Sequence, residues 1–369
     1  MAQRVLILGG TGCIGRSVAT DLLHFTDAEI TLTGRRSIAP DWLLPRQCYR
    51  PLRLATLPSQ VSDLATLSSA IIEHDLVIHC AGPFRQRDLA VLETCIQYGK
   101  PYLDVADSLD YARAAIAYHD AAQTAGSTCV ISTGIFPGIS NSLVRQGIEQ
   151  FDQAEAIHLS YLVAGSGGAG LTVLRTTFIE LQTPFQAKVD GRWQTILPYS
   201  DREILDFPAP YDAGAGVYWF NTVEAWSLAR SFPDVPTIIT KFGSLPDFYN
   251  HLTGLMTKLP AGWLHNPQLI EGLSRIGYGM TRLSDCWSGI GIAIRLVITG
   301  IQEAKPAAYR ATLTHANTAQ AAGYGTGSLA ALILSGQLRQ PGVWPVEQAL
   351  STPQFEQSLK QRNLMVLSD

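Results

Sequence analysis

An apolar run that halts at regularly spaced glycines constrains this chain more tightly than any other stretch. Residues 4–15 read RVLILGGTGCIG, in which Gly10, Thr11, Gly12, Cys13, Ile14 and Gly15 fit G-x-G-x-x-G. The run before them is strand-like, and CIGRSVATDLLHF after them sets Ile14, Val18 and Leu22 on one helical face. In that setting the first glycine permits a tight turn and the second lets a pyrophosphate approach the backbone. The third lets the helix pack closely on the strand, and the helix start faces the negative charge. A dinucleotide is the ligand this arrangement fits; a glycine turn of purely structural use is the alternative.

The alternation goes on. ITLT (30–33), PLRLA (51–55), DLVIHC (75–80), YLDV (102–105) and TCVIST (128–133) are short strand-like runs. Between them lie helical patterns carrying Leu64, Leu67 and Ile71, then Leu89, Leu92 and Ile96, then LDYARAAIAYHDAAQTAG as one helix. Apolar strands alternating with helices predict an α/β, doubly wound (Rossmann) parallel sheet covered on both faces, here over residues 1–140. At 369 residues a second domain is expected.

The end of the second strand selects between NAD and NADP. An acid there would bond the ribose 2′-hydroxyl and mark NAD. This chain has Thr33-Gly34-Arg35-Arg36-Ser37 instead. Two guanidiniums suit a 2′-phosphate, so Arg35 and Arg36 favour NADP.

Composition narrows the partners. A net charge of −4 with no dense Lys/Arg block argues against nucleic acid. The six cysteines show no C-x-x-C pair, and no metal site or Ser-His-Asp constellation stands out, which suits reduced, mostly buried thiols in a cytoplasmic protein. MAQRVLILGG lacks the features of a signal peptide. Residues 311–338 hold no Lys, Arg, Asp or Glu, yet their Thr, Asn, Gln, Ser and Gly make a poor membrane span. FYNHLTGLMTKLPAGWL (248–264) is expected to be a buried helix, with peripheral membrane contact as the alternative.

From residue 141 the pattern changes. IHLSYLVA alternates with a two-residue period, and FQAKVDGRWQTI flanks Asp190-Gly191, a strong hairpin signal. VYWFNT, PTIITKF, IAIRLVITG and AYRATLTHA are further strands. An α+β domain with a mainly antiparallel sheet is expected over 141–317, closing the cleft beyond the strand ends and contributing to substrate binding or a homodimer. STPQFEQSLKQRN reads as a capped helix.

Several segments together resemble saccharopine dehydrogenase-like proteins. HCAGPFRQRDLAVLETCIQYGKPYLDVADS (79–108) is similar to that family's Ala-Gly-Pro-Phe, cysteine-bearing helix and Gly-x-x-Tyr-x-Asp. TGIFPGISNSL (133–143) resembles its Gly-x-x-Pro-Gly-x-x-Asn, and GSGGAGLTVLRTT (165–177) its Gly-rich turn and helix. GVWPVEQAL and RNLMV resemble its closing segment. RQRDLA is charged where relatives usually have a small Gly-containing turn, and Asp107 stands where they often show Gly-Glu. The resemblance implies NAD(P)-linked oxidoreduction, often at carbon–nitrogen bonds of amino-acid-like molecules and in some relatives at carbon–carbon double bonds of lipid precursors. It also implies that residues 318–369 return to the first domain.

Cofactor contacts are expected from Gly10 to Gly15, Arg35, Arg36, Ala81, Gly82, Pro83 and Phe136, the last beside Pro137 as a wall for the nicotinamide. Hydride transfer needs a proton source and charge stabilisation. Asp107, at a strand end, is the candidate proton donor or a helix cap, and Asp104 can hold a turn or a ribose. Arg175 can clamp a substrate carboxylate or be a solvated helix arginine. Gly165-Ser166-Gly167-Gly168 can receive an anion or form a tight turn, and His79 reads as a satisfied core histidine. The expected activity is NADP-dependent hydride transfer to or from a small, amino-acid-derived or lipid-like substrate with a C=N, C=O or C=C bond. A non-catalytic NADP-binding regulator or scaffold is the alternative.

Overall fold

The computed structural model describes residues 2–34, 53–58, 64–168, 170–211, 214–260 and 262–369. The chain divides into two compact units, Met1–Ile139 with Ala319–Ser358, and Ser140–Thr318 with Leu359–Asp369.

The first unit holds β1 (Arg4–Leu8), β2 (Glu29–Gly34), β3 (Leu54–Pro58), β4 (Leu76–His79), β5 (Tyr102–Asp104) and β6 (Thr128–Ile131). The second holds β7 (Gln153–Ala164), β8 (Phe185–Val189), β9 (Arg192–Ile196), β10 (Glu203–Leu205), β11 (Ala215–Trp219), β12 (Thr237–Leu245), β13 (Gly291–Gln302) and β14 (Lys305–His315). β15 (Gly342–Pro345) belongs to the first unit and β16 (Val366–Ser368) to the second.

The first sheet runs β15-β6-β5-β4-β1-β2-β3, and every pairing in it is parallel. Strand order reverses between β1 and β4, the point at which doubly wound sheets bind ligands. Val5, Leu6, Ile7 and Leu8 are fully buried, as are Val18 and Leu22 of the helix Cys13–Phe25. The uncharged stretch 311–338 contributes the helix Thr318–Leu334, much of it buried. Residues 109–126 form two helices rather than the expected one, Leu109–Ile116 and His119–Ala125.

The second sheet runs β10-β11-β12-β7-β13-β14-β16. β12 pairs with β7 in parallel and the other neighbours are antiparallel. The β8–β9 hairpin turns at Asp190 and Gly191, both at positive φ (50° and 74°), the conformation Asp-Gly favours. The final residues depart from the expected return of 318–369 to the first domain. β16 pairs with β14 of the second unit, because Val366–Ser368 cover that strand's otherwise open edge.

Residues 248–264 also depart from expectation. The helix Phe248–Met256 buries Asn250, not an apolar face, and Phe248 and Leu255 stay 61% and 62% exposed. Polar bonds hold the helix alongside Met256, which packs on a buried apolar cluster. Asn250 Oδ1 accepts from Tyr199 OH and Ser244 N, while its Nδ2 donates to Gly216 O, Ser244 O and Asp247 Oδ1.

Candidate functional site

The carboxyl ends of β1, β2, β4, β5 and β6 are tied side by side. Gly9 has φ +71°, and a Cβ on it would stand 2.8 Å from Ala81 Cα, so only glycine lets the first loop reach the segment after β4. Its N–H donates to Thr33 Oγ1 of β2 at 3.3 Å. Val105 N donates to His79 O, and Thr133 N to Asp104 O at 2.8 Å, joining β5 to its neighbours. Gly15 is equally constrained: its Cβ would lie 2.4 Å from Gly9 O and 2.7 Å from Gly10 Cα.

This cradle fits a dinucleotide. The helix Cys13–Phe25 starts with no side-chain cap and no acid in its first turn. Its first N–H groups, at Cys13, Ile14 and Gly15, have no partner within the helix, and the helix dipole adds partial positive charge. Arg35 and Arg36 lie outside the described residues.

Beyond β4, Ala81, Gly82 and Pro83 are half-buried. Arg87 fixes this segment: its Nε donates to Ala81 O at 2.8 Å and an Nη to Gly82 O at 3.4 Å. The charges of RQRDLA thus include a clamp on the candidate cofactor loop, which the sequence showed only as a departure from its relatives. Arg87→Ala is expected to lower unfolding free energy by only ~1 kcal/mol, since the group is half exposed. A urea titration checks that value, and a weaker NADPH affinity should accompany it.

Asp104 is fully buried. Its Oδ1 accepts from Ser132 N at 2.7 Å and Ala106 N at 3.0 Å, so it holds the turn after β5. Burial pushes its carboxyl up to about 6 against the pull of those N–H groups. Asp107 is exposed, and the helix it precedes takes Ser108 as N-cap with no side-chain cap bond. His79 is buried as expected, but neither ring nitrogen has a hydrogen-bond partner among the described residues. Burial, then the Arg87 charge, takes it down to about 3, so the ring stays neutral. It packs edge-on against Phe84 at 4.8 Å. Phe136 is half-buried and Pro137 buried, just beyond β6.

In the second unit the Gly-rich turn is already engaged by an internal carboxylate. Asp285 Oδ1 accepts from Ser166 N at 2.7 Å and Oδ2 from Ser166 Oγ at 2.9 Å. Gly165 N and Gly167 N donate to Leu245 O and Ala164 O. The tight-turn reading stands there, and the anion reading fails because these donors are taken. Arg175 forms a salt bridge to Glu271, which also binds Arg275.

Asn141, in the motif that follows Pro137, is buried and donates to Ser227 Oγ at 3.1 Å. Beside it, Glu224 Oε1 accepts from Ser140 Oγ at 2.9 Å and Tyr161 OH at 2.5 Å. Burial raises this carboxyl above its usual range. Sequence reasoning missed Glu224, because an acid in a first helical turn ordinarily faces water.

A parallel sheet in this order, with a glycine cradle at an anion-ready helix start, defines a dinucleotide-binding fold. Residues 5–130 match the saccharopine dehydrogenase NADP binding domain. The chain is 24% identical to carboxyaminopropylagmatine dehydrogenase of Synechocystis sp. over 377 residues, 94% of this chain and 93% of that protein. Two solved structures share the fold. One is apo saccharopine dehydrogenase (L-Glu forming) from Saccharomyces cerevisiae, with TM-score 0.68, 14% identity and 100% of both chains covered. The other is C. glutamicum DAP dehydrogenase in complex with DAP, with TM-score 0.51, 15% identity, and 98% of this chain and 99% of that one covered. Residues 5–130 thus carry an NADP binding domain of the saccharopine dehydrogenase type, and the cofactor is NADP.

Proposed function

We propose that this protein transfers hydride at a carbon–nitrogen bond of a small amine bearing a carboxylate. The observation that carries this reading is the end-to-end likeness to carboxyaminopropylagmatine dehydrogenase, whose name describes a carboxylated amine. Bound NADPH supplies the hydride. The Gly10–Gly15 loop receives the pyrophosphate, and Arg35 and Arg36 select the 2′-phosphate. Ala81, Gly82 and Pro83 border the cofactor, and Phe136 walls the nicotinamide. Asp107, exposed at the carboxyl end of β5, handles the proton at its carboxylate. Arg175 binds the substrate carboxylate bidentately by exchanging its Glu271 partner for it.

The test has two stages. Titration with NADPH and NADH, for wild type and Arg35→Ala, is expected to show NADPH bound at least ~10-fold tighter, with the preference lost in the variant. NADPH consumption is then followed with pairs of a primary amine and a carboxylated aldehyde or 2-oxo acid. Turnover that falls in Arg175→Ala, chiefly through KM, supports the reading. NADPH binding without consumption by any pair would sink it in favour of a non-catalytic regulator or scaffold.

A further inference from the structure

The second unit carries an apolar face with no partner among the described residues. On the helix Phe248–Met256, the turn Trp263–His265 and the helix Pro267–Ser288, six large side chains point into water. Phe248, Leu255, Trp263, Ile276, Leu283 and Trp287 are each 52–75% exposed. Their elements are firmly held from beneath. Leu264 and Ile270 are buried in a cluster with Phe178, against which Met256, Leu259 and Leu273 pack. Tyr249 OH donates to Met280 O at 2.8 Å, joining the two helices. Outward apolarity here is not needed for packing, and monomers rarely leave contiguous apolar patches beyond about a few hundred Å².

The charges around this face tell what covers it. Residues 248–290 contain the cations Lys258, Arg275 and Arg282, all exposed, and two acids. Both acids are engaged: Asp285 holds Ser166, and Glu271 bridges Arg175 and Arg275. The face is thus apolar with a cationic margin, on a chain whose net charge is −4. Aromatic and leucine side chains beside Arg and Lys match the interface of an anionic bilayer, where rings sit at headgroup depth and cations reach the phosphates. A second copy of this chain fits less well. Arg275 and Arg282 lie seven residues apart on one flank of the Ile276–Leu283 stripe, and a two-fold pairing centred between them would set Arg275 of one copy against Arg282 of the other. Among the described residues no helix is long and apolar enough to cross a membrane, so contact would be with the surface.

We propose that this face docks the protein onto anionic membrane surfaces, with Trp263, Leu283 and Trp287 entering the headgroup layer and Arg282 and Lys258 binding lipid phosphate. The proposal is independent of the substrate. It is tested by co-sedimentation of the full chain with vesicles of phosphatidylcholine alone and with added phosphatidylglycerol. The expected result is binding to the anionic vesicles, weakened by salt and by Arg282→Glu, and reduced at least ~10-fold in Leu255→Asp/Leu283→Asp. Unchanged NADPH affinity and melting temperature in the double variant show that it folds. Three results would each overturn the proposal: no sedimentation of wild type with anionic vesicles, equal binding to neutral ones, or a lipid-free dimer that Leu283→Asp dissociates.

Discussion

Gly12→Val is expected to cost at least ~100-fold in NADPH affinity, ~2.7 kcal/mol, while leaving the melting temperature nearly unchanged. The backbone at Gly12 has φ −78° and ψ 172°, which any residue adopts. A Cβ there would stand 3.2 Å from Gly9 O, tight enough for a small shift and no more. The added methyls instead cover the approach to the N–H groups of Cys13, Ile14 and Gly15. Gly15→Val is the contrasting case. Its Cβ would meet two backbone atoms of the same loop below 3.0 Å, so it should unfold the first unit. Calorimetric NADPH titration beside thermal melts separates the two effects. Wild-type affinity in Gly12→Val would remove the pyrophosphate from this loop.

The second large effect is a pH dependence seated at Asp104. Its carboxyl titrates at about 6 when folded, against ~3.9 in an unfolded chain. Between those values the folded state holds more protons than the unfolded state. Stability from this group is therefore greatest below pH ~4 and declines as pH rises through ~6, by ~3 kcal/mol in all. Asp104→Asn keeps an oxygen for the Ser132 and Ala106 N–H groups and removes the titration. Relative to wild type, the variant should gain that ~3 kcal/mol between pH 4 and pH 7, read from urea unfolding at each pH. Stability curves that stay parallel across this window would show that Asp104 does not titrate there.

Strands β1, β2, β4, β5 and β6 were legible because each is an apolar run closed by a turn, whereas β3 was read three residues early and β15 was not read as a strand. Asp190-Gly191 was legible for the same local reason. Less visible were side-chain contacts to backbone groups and to distant residues. Asp285 reads as one more polar residue late in a helix, yet it occupies the donors of Ser166. Asn250 sits in an apolar-looking segment and turns out to be its anchor. Arg87 stood out only as part of a charged departure from relatives, and its carbonyl acceptors carry no side-chain signature. In each case the partner is a backbone group or a distant side chain, which periodicity does not report.

The pairing of β15 with β6 and of β16 with β14 has a consequence for biosynthesis. Both sheets take an edge strand from residues 342–368, so neither can be finished on the ribosome before those residues emerge. The usual order, in which an N-terminal domain folds while the rest is still being made, stops short here. Until then the flanks of β6 and β14 are open strands, able to pair with another nascent chain. The half-made sheets are exposed to misassembly until residues 342–368 arrive, and yield should depend on how quickly they do.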